Sequence, residues 1–201
     1  LTVNSLSGSE AHIILRNHEN GLKNMNLDIS VDECIGELLV SGPKYRVPDS
    51  AFNASSVWDD LYLPFRARLG TKDDSPYGQG GSWVANSEQE NTEQWIQVDL
   101  GTVKRVSGVI TQGRHVLHSN DEQWVMTEYR ILYKRKRQET FRTVRKNRSE
   151  KFQGNYDAVT PVLNMFKSVR ARFIRINPTA WKGHISLRFD VIGCKYYRPQ
   201  P

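Results

Sequence analysis

The sequence predicts an all-β fold, a sandwich or barrel of short strands. Strand-like segments recur about every ten residues from residue 34 onward, separated by Gly, Asn and Pro. No window keeps a helical period of apolar residues. Two cysteines, Cys34 and Cys194, bracket the patterned region.

The elements follow in order. Residues 1–33 carry five acidic side chains against Arg16 and Lys23, a net charge of −3, and no aromatic residue. Residues 11–15 and 27–32 are candidate strands there, with Asn20-Gly21 as a turn between them. This stretch reads as a small hairpin or extended arm, the tail of a preceding region, or a disordered segment. Residues 95–100 then place Trp95 or Ile96, with Val98, on alternating faces of a strand that Gly101 ends. Strands are expected over 106–111, over 127–133 with clear period-two alternation, over 140–144 and over 152–155. The last pair is 172–176 and 185–192, with Pro178-Thr-Ala-Trp181 as the turn between them. Trp83, Trp95, Trp124 and Trp181 are large enough to serve as core or wall residues.

The two cysteines admit a long-range bridge or two buried thiols. Their position at the edges of the patterned region favours the bridge. In the chain-entropy description a loop this long would remove about 4–5 kcal/mol of unfolded-state entropy. The chain starts at Leu1 with no methionine and no signal-peptide pattern, as a mature or trimmed fragment would. Two acceptor sequons, at Asn53 and Asn147, fit a secreted context. No apolar run approaches the roughly 20 residues of a membrane span.

Catalytic patterns are weak, and the chain is not expected to be an enzyme. His115 and His118 share a loop but lack a third ligand, so no metal or cofactor is expected. Gly78-Gln-Gly-Gly81 matches no phosphate-binding pattern, and no serine sits in a Gly-x-Ser-x-Gly elbow.

From 34 to 194 the chain resembles a discoidin domain, the coagulation factor V/VIII type C module. The matching pieces come in the family's order. They are Val47-Pro-Asp-Ser, Asn53-Ala-Ser-Ser, Ala67-Arg-Leu, Gly81-Ser-Trp-Val, Gln94-Trp-Ile-Gln-Val-Asp-Leu-Gly and Val109-Ile-Thr-Gln-Gly-Arg. Gln123-Trp, Tyr129-Arg-Ile-Leu-Tyr, Phe152-Gln-Gly-Asn, Ala171-Arg-Phe-Ile-Arg-Ile and Gly193-Cys194 follow. The resemblance implies a jelly-roll-like β-sandwich of the galactose-binding-domain type, closed by a Cys34–Cys194 bridge, with ligand-binding loops at one end. Residues 195–201 become a tail.

It further implies an extracellular adhesion or recognition module, secreted or part of an ectodomain, that binds a glycan or a cell-surface or matrix protein. The first loop, 57–65, holds Trp58, Leu61, Tyr62, Leu63 and Phe65 around Asp59 and Asp60. The second spans 71–81 and the third 114–123. Candidate ligand residues are Trp58, Asp59, Leu61, Tyr62, Trp83, Arg114, Leu117 and Asp121. An aromatic face would stack on a sugar while Arg and Asp fix its hydroxyls. The rival reading inserts Trp58, Leu61 and Leu117 into an anionic phospholipid surface.

One stretch departs from the family. Residues 134–151 hold nine basic and two acidic side chains, so +7, more than the whole chain's +6. Its candidates are Lys134, Arg135, Lys136, Arg137, Arg142, Arg145, Lys146 and Arg148. A field this local is expected to attract sulfated glycans, acidic lipids or nucleic acid, and for a secreted module heparan sulfate or another heparin-like glycosaminoglycan, or an acidic protein, is favoured over DNA.

Overall fold

The computed structural model describes residues 36–73, 80–86, 88, 91–115 and 124–195. The expectations for residues 1–33, Cys34, Leu117, Asp121, His118, most of the second loop and the tail lie outside the described residues.

Nine strands form an antiparallel system, and no α-helix occurs among the described residues. They are β1 (Glu37–Leu38), β2 (Phe52–Ala54), β3 (Trp83–Val84), β4 (Ile96–Gln112), β5 (Val125–Lys134), β6 (Arg142–Thr143), β7 (Lys151–Gln153), β8 (Val162–Lys182) and β9 (Ser186–Lys195). Three short 3-10 turns lie at Asp49–Ala51, Asp60–Tyr62 and Pro64–Ala67.

The organising element is the long β4–β8 ribbon. Ile96 to Asp99 pair with Ile176 to Phe173, and Lys104 to Thr111 pair with Ala171 to Val162. The register slips between those stretches, where Gly101 takes φ 77°, a conformation a side chain would strain. On one side of this bend the ribbon's neighbours are β2 and β5; on the other they are β9 and, beyond it, β1. The ribbon therefore turns a corner between the two layers of a sandwich. Across the core, Asn164 Nδ2 on the first half of β8 donates to Tyr129 Oη on β5 at 3.0 Å. Phe152 meets Phe166 edge-on at 6.0 Å, and Phe52 meets Phe189 at 6.1 Å.

The inward positions are the apolar ones: Ile96, Val98, Val109, Tyr129, Ile131, Ile174, Ile176, Leu187, Phe189 and Val191 are essentially buried. Each such side chain contributes about 1.5–3 kcal/mol through removal from water. Between Trp95 and Ile96, it is Ile96 that faces the core. Trp181 lies partly buried against it.

Several sequence expectations change. Gly101 does not end a strand; it kinks one that continues to Gln112. Pro178 to Trp181 form no turn; they lie inside β8, whose register against β5 absorbs them through bulges. The expected strand at 140–144 shortens to β6, because Val144 already turns inward. The strand at 162–169 went unseen, since Lys167 and Ser168 hide its alternation.

The bend gives the molecule two ends. β5 runs from Val125 beside Lys182 to Lys134 beside Phe173, and β9 runs from Ser186 to Lys195 beside Lys104. The loops gather at the first end and the ribbon's corner forms the other. Ten-residue strands separate the two by roughly 30 Å. Cys194 is disulfide-bonded and sits opposite Arg105 near the corner. The chain's one other cysteine, Cys34, lies outside the described residues.

Candidate functional site

The first loop leaves β2 already clamped. Ser55 Oγ and Ser56 Oγ both donate to Gln94 Oε1 at 2.6 Å, and Trp83 Nε1 donates to the Ser56 carbonyl at 3.0 Å. Trp58 N then donates to the Val84 carbonyl at 3.0 Å. Asp59 caps the 3-10 turn by accepting from Leu61 N at 2.7 Å, which leaves its carboxylate at the surface.

These anchors assemble an aromatic cluster. Trp58 stacks on Trp124 with centroids 5.2 Å apart, and His184 meets both rings edge-on at 4.6 Å. Tyr62 lies 6.5 Å from Trp58 and 6.3 Å from Trp124. Aromatic pairs of this kind add about 0.5–1.5 kcal/mol each beyond area burial. Tyr62 reaches its place because Gly80 has no side chain; a Cβ there would meet the tyrosine ring at 2.1 Å.

Arg114 completes the cluster. Its guanidinium lies 4.4 Å above Trp124 and 5.7 Å from Tyr62. Its Nε is buried without a hydrogen-bond partner, and no carboxylate among the described residues pairs with the group. Among the described residues, ring faces are what holds this half-buried cation.

The roots of the second and third loops share one buried post. Arg188, 2% exposed, donates from Nε to the Gly113 carbonyl at 2.7 Å, from Nη1 to Thr71 at 2.8 Å and from Nη2 to Ala158 at 2.7 Å. Burial pulls its pKa down to about 10, so it stays charged at neutral pH. Next to it, His115 Nδ1 accepts from Asp73 N at 3.2 Å. Burial first, and the Arg188 charge second, hold the His115 pKa below its ordinary value.

Trp58, Tyr62 and Arg114 thus come together, with Asp59 and the exposed Leu61 on the rim. Trp83 does not join them. It is 0% exposed, its indole spent on the Ser56 carbonyl, so it supports the loop from below rather than facing a ligand. Trp124 and His184 belong to the cluster although the sequence did not single them out as ligand residues. The hint was their position: Trp124 follows the third loop directly, and His184 lies in the β8–β9 turn. The sequon residues Asn53 and Asn147 are both exposed, the latter at a hairpin tip with φ 51°.

The basic segment lies away from this cluster, at the corner end and along the β6–β7 edge, and it is not uniform. Lys134 sits between Phe141 (4.6 Å) and Phe173 (5.3 Å) and donates to the Arg137 carbonyl. Arg135 pairs with Glu139 at 3.1 Å and Arg145 with Glu150 at 2.6 Å. Arg137 reaches Asp99 only at 3.7 Å. Lys136, Arg142, Lys146 and Arg148 are exposed and unpaired among the described residues. Underneath, Arg175 is sandwiched between Trp95 (3.8 Å) and Phe141 (4.1 Å), and Arg172 grips Asp99 bidentately at 2.7 and 2.8 Å. Burial alone would raise the Asp99 pKa, but Arg172 and the Gly101 N–H hold it below the usual carboxylate range.

A closed sandwich with aromatic and basic side chains gathered on loops at one end defines a recognition module. Residues 51–191 match the F5/8 type C domain, and the chain belongs to that family, whose domains are binding modules. It is 33% identical over 165 residues to lactadherin of Rattus norvegicus, covering 74% of this chain and 34% of that protein. With human coagulation factor V it shares 34% identity over 155 residues, 76% of this chain and 6% of that protein. The chain therefore spans about a third of the first of these relatives and a small part of the second. Among solved structures, discoidin II of Dictyostelium discoideum superposes with a TM-score of 0.62 at 21% identity, covering 73% of this chain and 56% of that one. CpGH89CBM32-5 of Clostridium perfringens, in complex with GalNAc-β-1,3-galactose, superposes with a TM-score of 0.54 at 17% identity, covering 73% and 98%. At these identities the likeness concerns the fold. Among the described residues, no group of His, Cys, Asp and Glu is arranged to hold a metal ion, and no helix is long and apolar enough to cross a membrane.

Proposed function

We propose that this domain is an extracellular recognition module that binds a glycan at its loop end, through Trp58, Tyr62, Trp124, His184 and Arg114. The disulfide at Cys194 fits an oxidising compartment. The observation that carries the glycan reading is Arg114. Its guanidinium has no counter-ion among the described residues and lies 4.4 Å from the centre of the Trp124 ring, which stacks on Trp58. Sugar recognition asks for this pairing: a ring face to pack on and fixed donors for hydroxyls. A fold neighbour solved with GalNAc-β-1,3-galactose supplies the first probe.

The second reading, insertion into an anionic phospholipid surface, draws on Leu61, which is 36% exposed at the same end. Titration with GalNAc-β-1,3-galactose and a glycan array, beside flotation with phosphatidylserine vesicles, separates the two. The glycan reading expects saturable binding that Arg114→Ala weakens at least tenfold. Flotation with vesicles and no binding to any glycan would overturn it.

A further inference from the structure

We infer a second binding site at the corner end, a cleft and basic rim that take a linear sulfated polysaccharide. It is independent of the loop-end reading, being built from other residues roughly 30 Å away, as ten-residue strands set the distance.

The cleft, of about 390 Å³, lies where the loop around residues 45–51 faces the β4 bend. Arg46, Lys104 and Arg137 line it, with Asp99 as its one anion. Asp99 is already neutralised by the bidentate grip of Arg172. Lys104 is 7% exposed and held 4.4 Å over the Tyr45 ring, so its charge is fixed in place. Arg46 is exposed and has no partner among the described residues. Three cations from separate parts of the chain thus line the cleft.

The basic turn continues from it. Arg137 lines the cleft and Lys136 precedes it; Arg142 lies on the edge strand opposite Tyr133, and the hairpin bearing Lys146 and Arg148 follows. From Lys134 back to Arg130, which faces Lys151, the edge extends about 13 Å at roughly 3.3 Å per residue. A row of that length suits an extended polyanion better than a single headgroup.

The aromatic rings here decide between polyanions. Trp95 and Phe141 are covered by Arg175, Phe141 and Phe173 by Lys134, and Tyr45 by Lys44 and Lys104. Among the described residues these rings already carry cations, which disfavours the stacking of a nucleobase on them. The exposed large apolar residues among the described ones, Leu61, Tyr156, Val159 and Met165, do not line the cleft, which disfavours insertion into a bilayer there. What remains is a surface of charge with guanidinium donors, which grip sulfate in pairs. Short edge strands often carry cations simply to discourage edge-to-edge pairing. That role would not place Arg46 and Lys104, from other elements, around a common cleft.

The test is heparin-column elution and titration of the intact chain with a heparin octasaccharide, hyaluronan, single-stranded DNA and phosphatidylserine vesicles. We expect elution well above physiological salt, binding that falls steeply as salt rises, and no binding of unsulfated hyaluronan. Arg46→Ser with Arg137→Ser should weaken heparin binding at least tenfold. Lys167→Ser with Lys182→Ser, an equal charge loss elsewhere, should change it less than twofold. Arg46→Ser alone, at an exposed side chain with no hydrogen bond or ion pair among the described residues, should weaken binding about threefold even if the double variant misfolds. The proposal is overturned if both double variants lose affinity equally, if Arg46→Ser binds like the wild type, or if DNA or vesicles bind more tightly than heparin at the same salt.

Discussion

The two ends of the sandwich use the same vocabulary of Arg, Lys and aromatic residues in different proportion. At the loop end, the rings of Trp58, Tyr62, Trp124 and His184 gather with one cation, Arg114, which lies over Trp124. At the corner end, Arg175 lies between Trp95 and Phe141, and Lys134 between Phe141 and Phe173. One cluster is mostly ring; the other sets two cations among three rings. The contrast shows that the residue types present do not determine what a surface can bind. Their proportion does, because a ring face under a cation is lost to a ligand.

The sharpest way to break this comparison is to remove what keeps the loop end in shape. Arg188→Met would strand two buried carbonyls, of Gly113 and Ala158, each costing about 1–3 kcal/mol, and the part-buried one of Thr71. Chemical denaturation should show a loss of about 3 kcal/mol or more, and binding of GalNAc-β-1,3-galactose should vanish. Heparin retention of the fraction still folded should persist; its parallel loss would mean that the two ends are not separate units.

Next in size is Asp99→Asn, which takes away the anion that Arg172 and Arg137 share. Urea unfolding should register a loss of about 1–2 kcal/mol, the worth of a partly exposed charge-assisted pair. The same variant should elute from heparin at higher salt, since Arg172 and Arg137 are released from their carboxylate partner. Lower stability with tighter retention is an outcome that a merely structural role for Asp99 does not give.

At the loop end, Trp58→Ala should weaken glycan binding by about 1 kcal/mol or more, read by titration. Its effect on melting should be only a few degrees, because Trp58 packs against loop neighbours rather than in the central core. Unfolding of this variant would make Trp58 a core residue and remove it from the site.

The smallest effect is pH-dependent. His115 has a depressed pKa in the folded state, so the unfolded chain binds the proton more readily. Its contribution is present above the ordinary value of about 6.5 and is lost as pH falls through the lower folded value. Amide protection factors around residues 71–73 and 113–115, which allow for the intrinsic slowing of exchange in acid, should therefore fall between pH 7 and 5, and His115→Gln should flatten the response. Asp99, held below the usual carboxylate range, stays ionised over that window, and the corner should not change.

The sandwich itself was legible because strand alternation, glycine punctuation and the spacing of short motifs all pointed the same way. The corner was not. A strand that kinks at Gly101 and continues leaves the same local pattern as two strands with a turn. The loop-end site was half legible: Trp58, Tyr62 and Arg114 stood out as aromatic and basic residues on a loop. Trp83 misled, since an indole in a short strand beside a glycine run reads alike whether it faces in or out. Trp124 and His184 were missed because their place depends on pairing between β5 and β8, which spans about 60 residues of chain. The excess of charge in 134–151 was plain, whereas its link to Arg46 and Lys104 exists only in three dimensions.

β1 and the far end of β9 lie side by side, Glu37 opposite Gly193, at the corner end and next to the disulfide-bonded Cys194. Tension applied between residues 37 and 193 would therefore run across one antiparallel strand pair, and the rest of the sandwich would carry almost none of it. The loop end sits beyond that load path, so under shear the domain would pivot about its corner while the loops kept their shape.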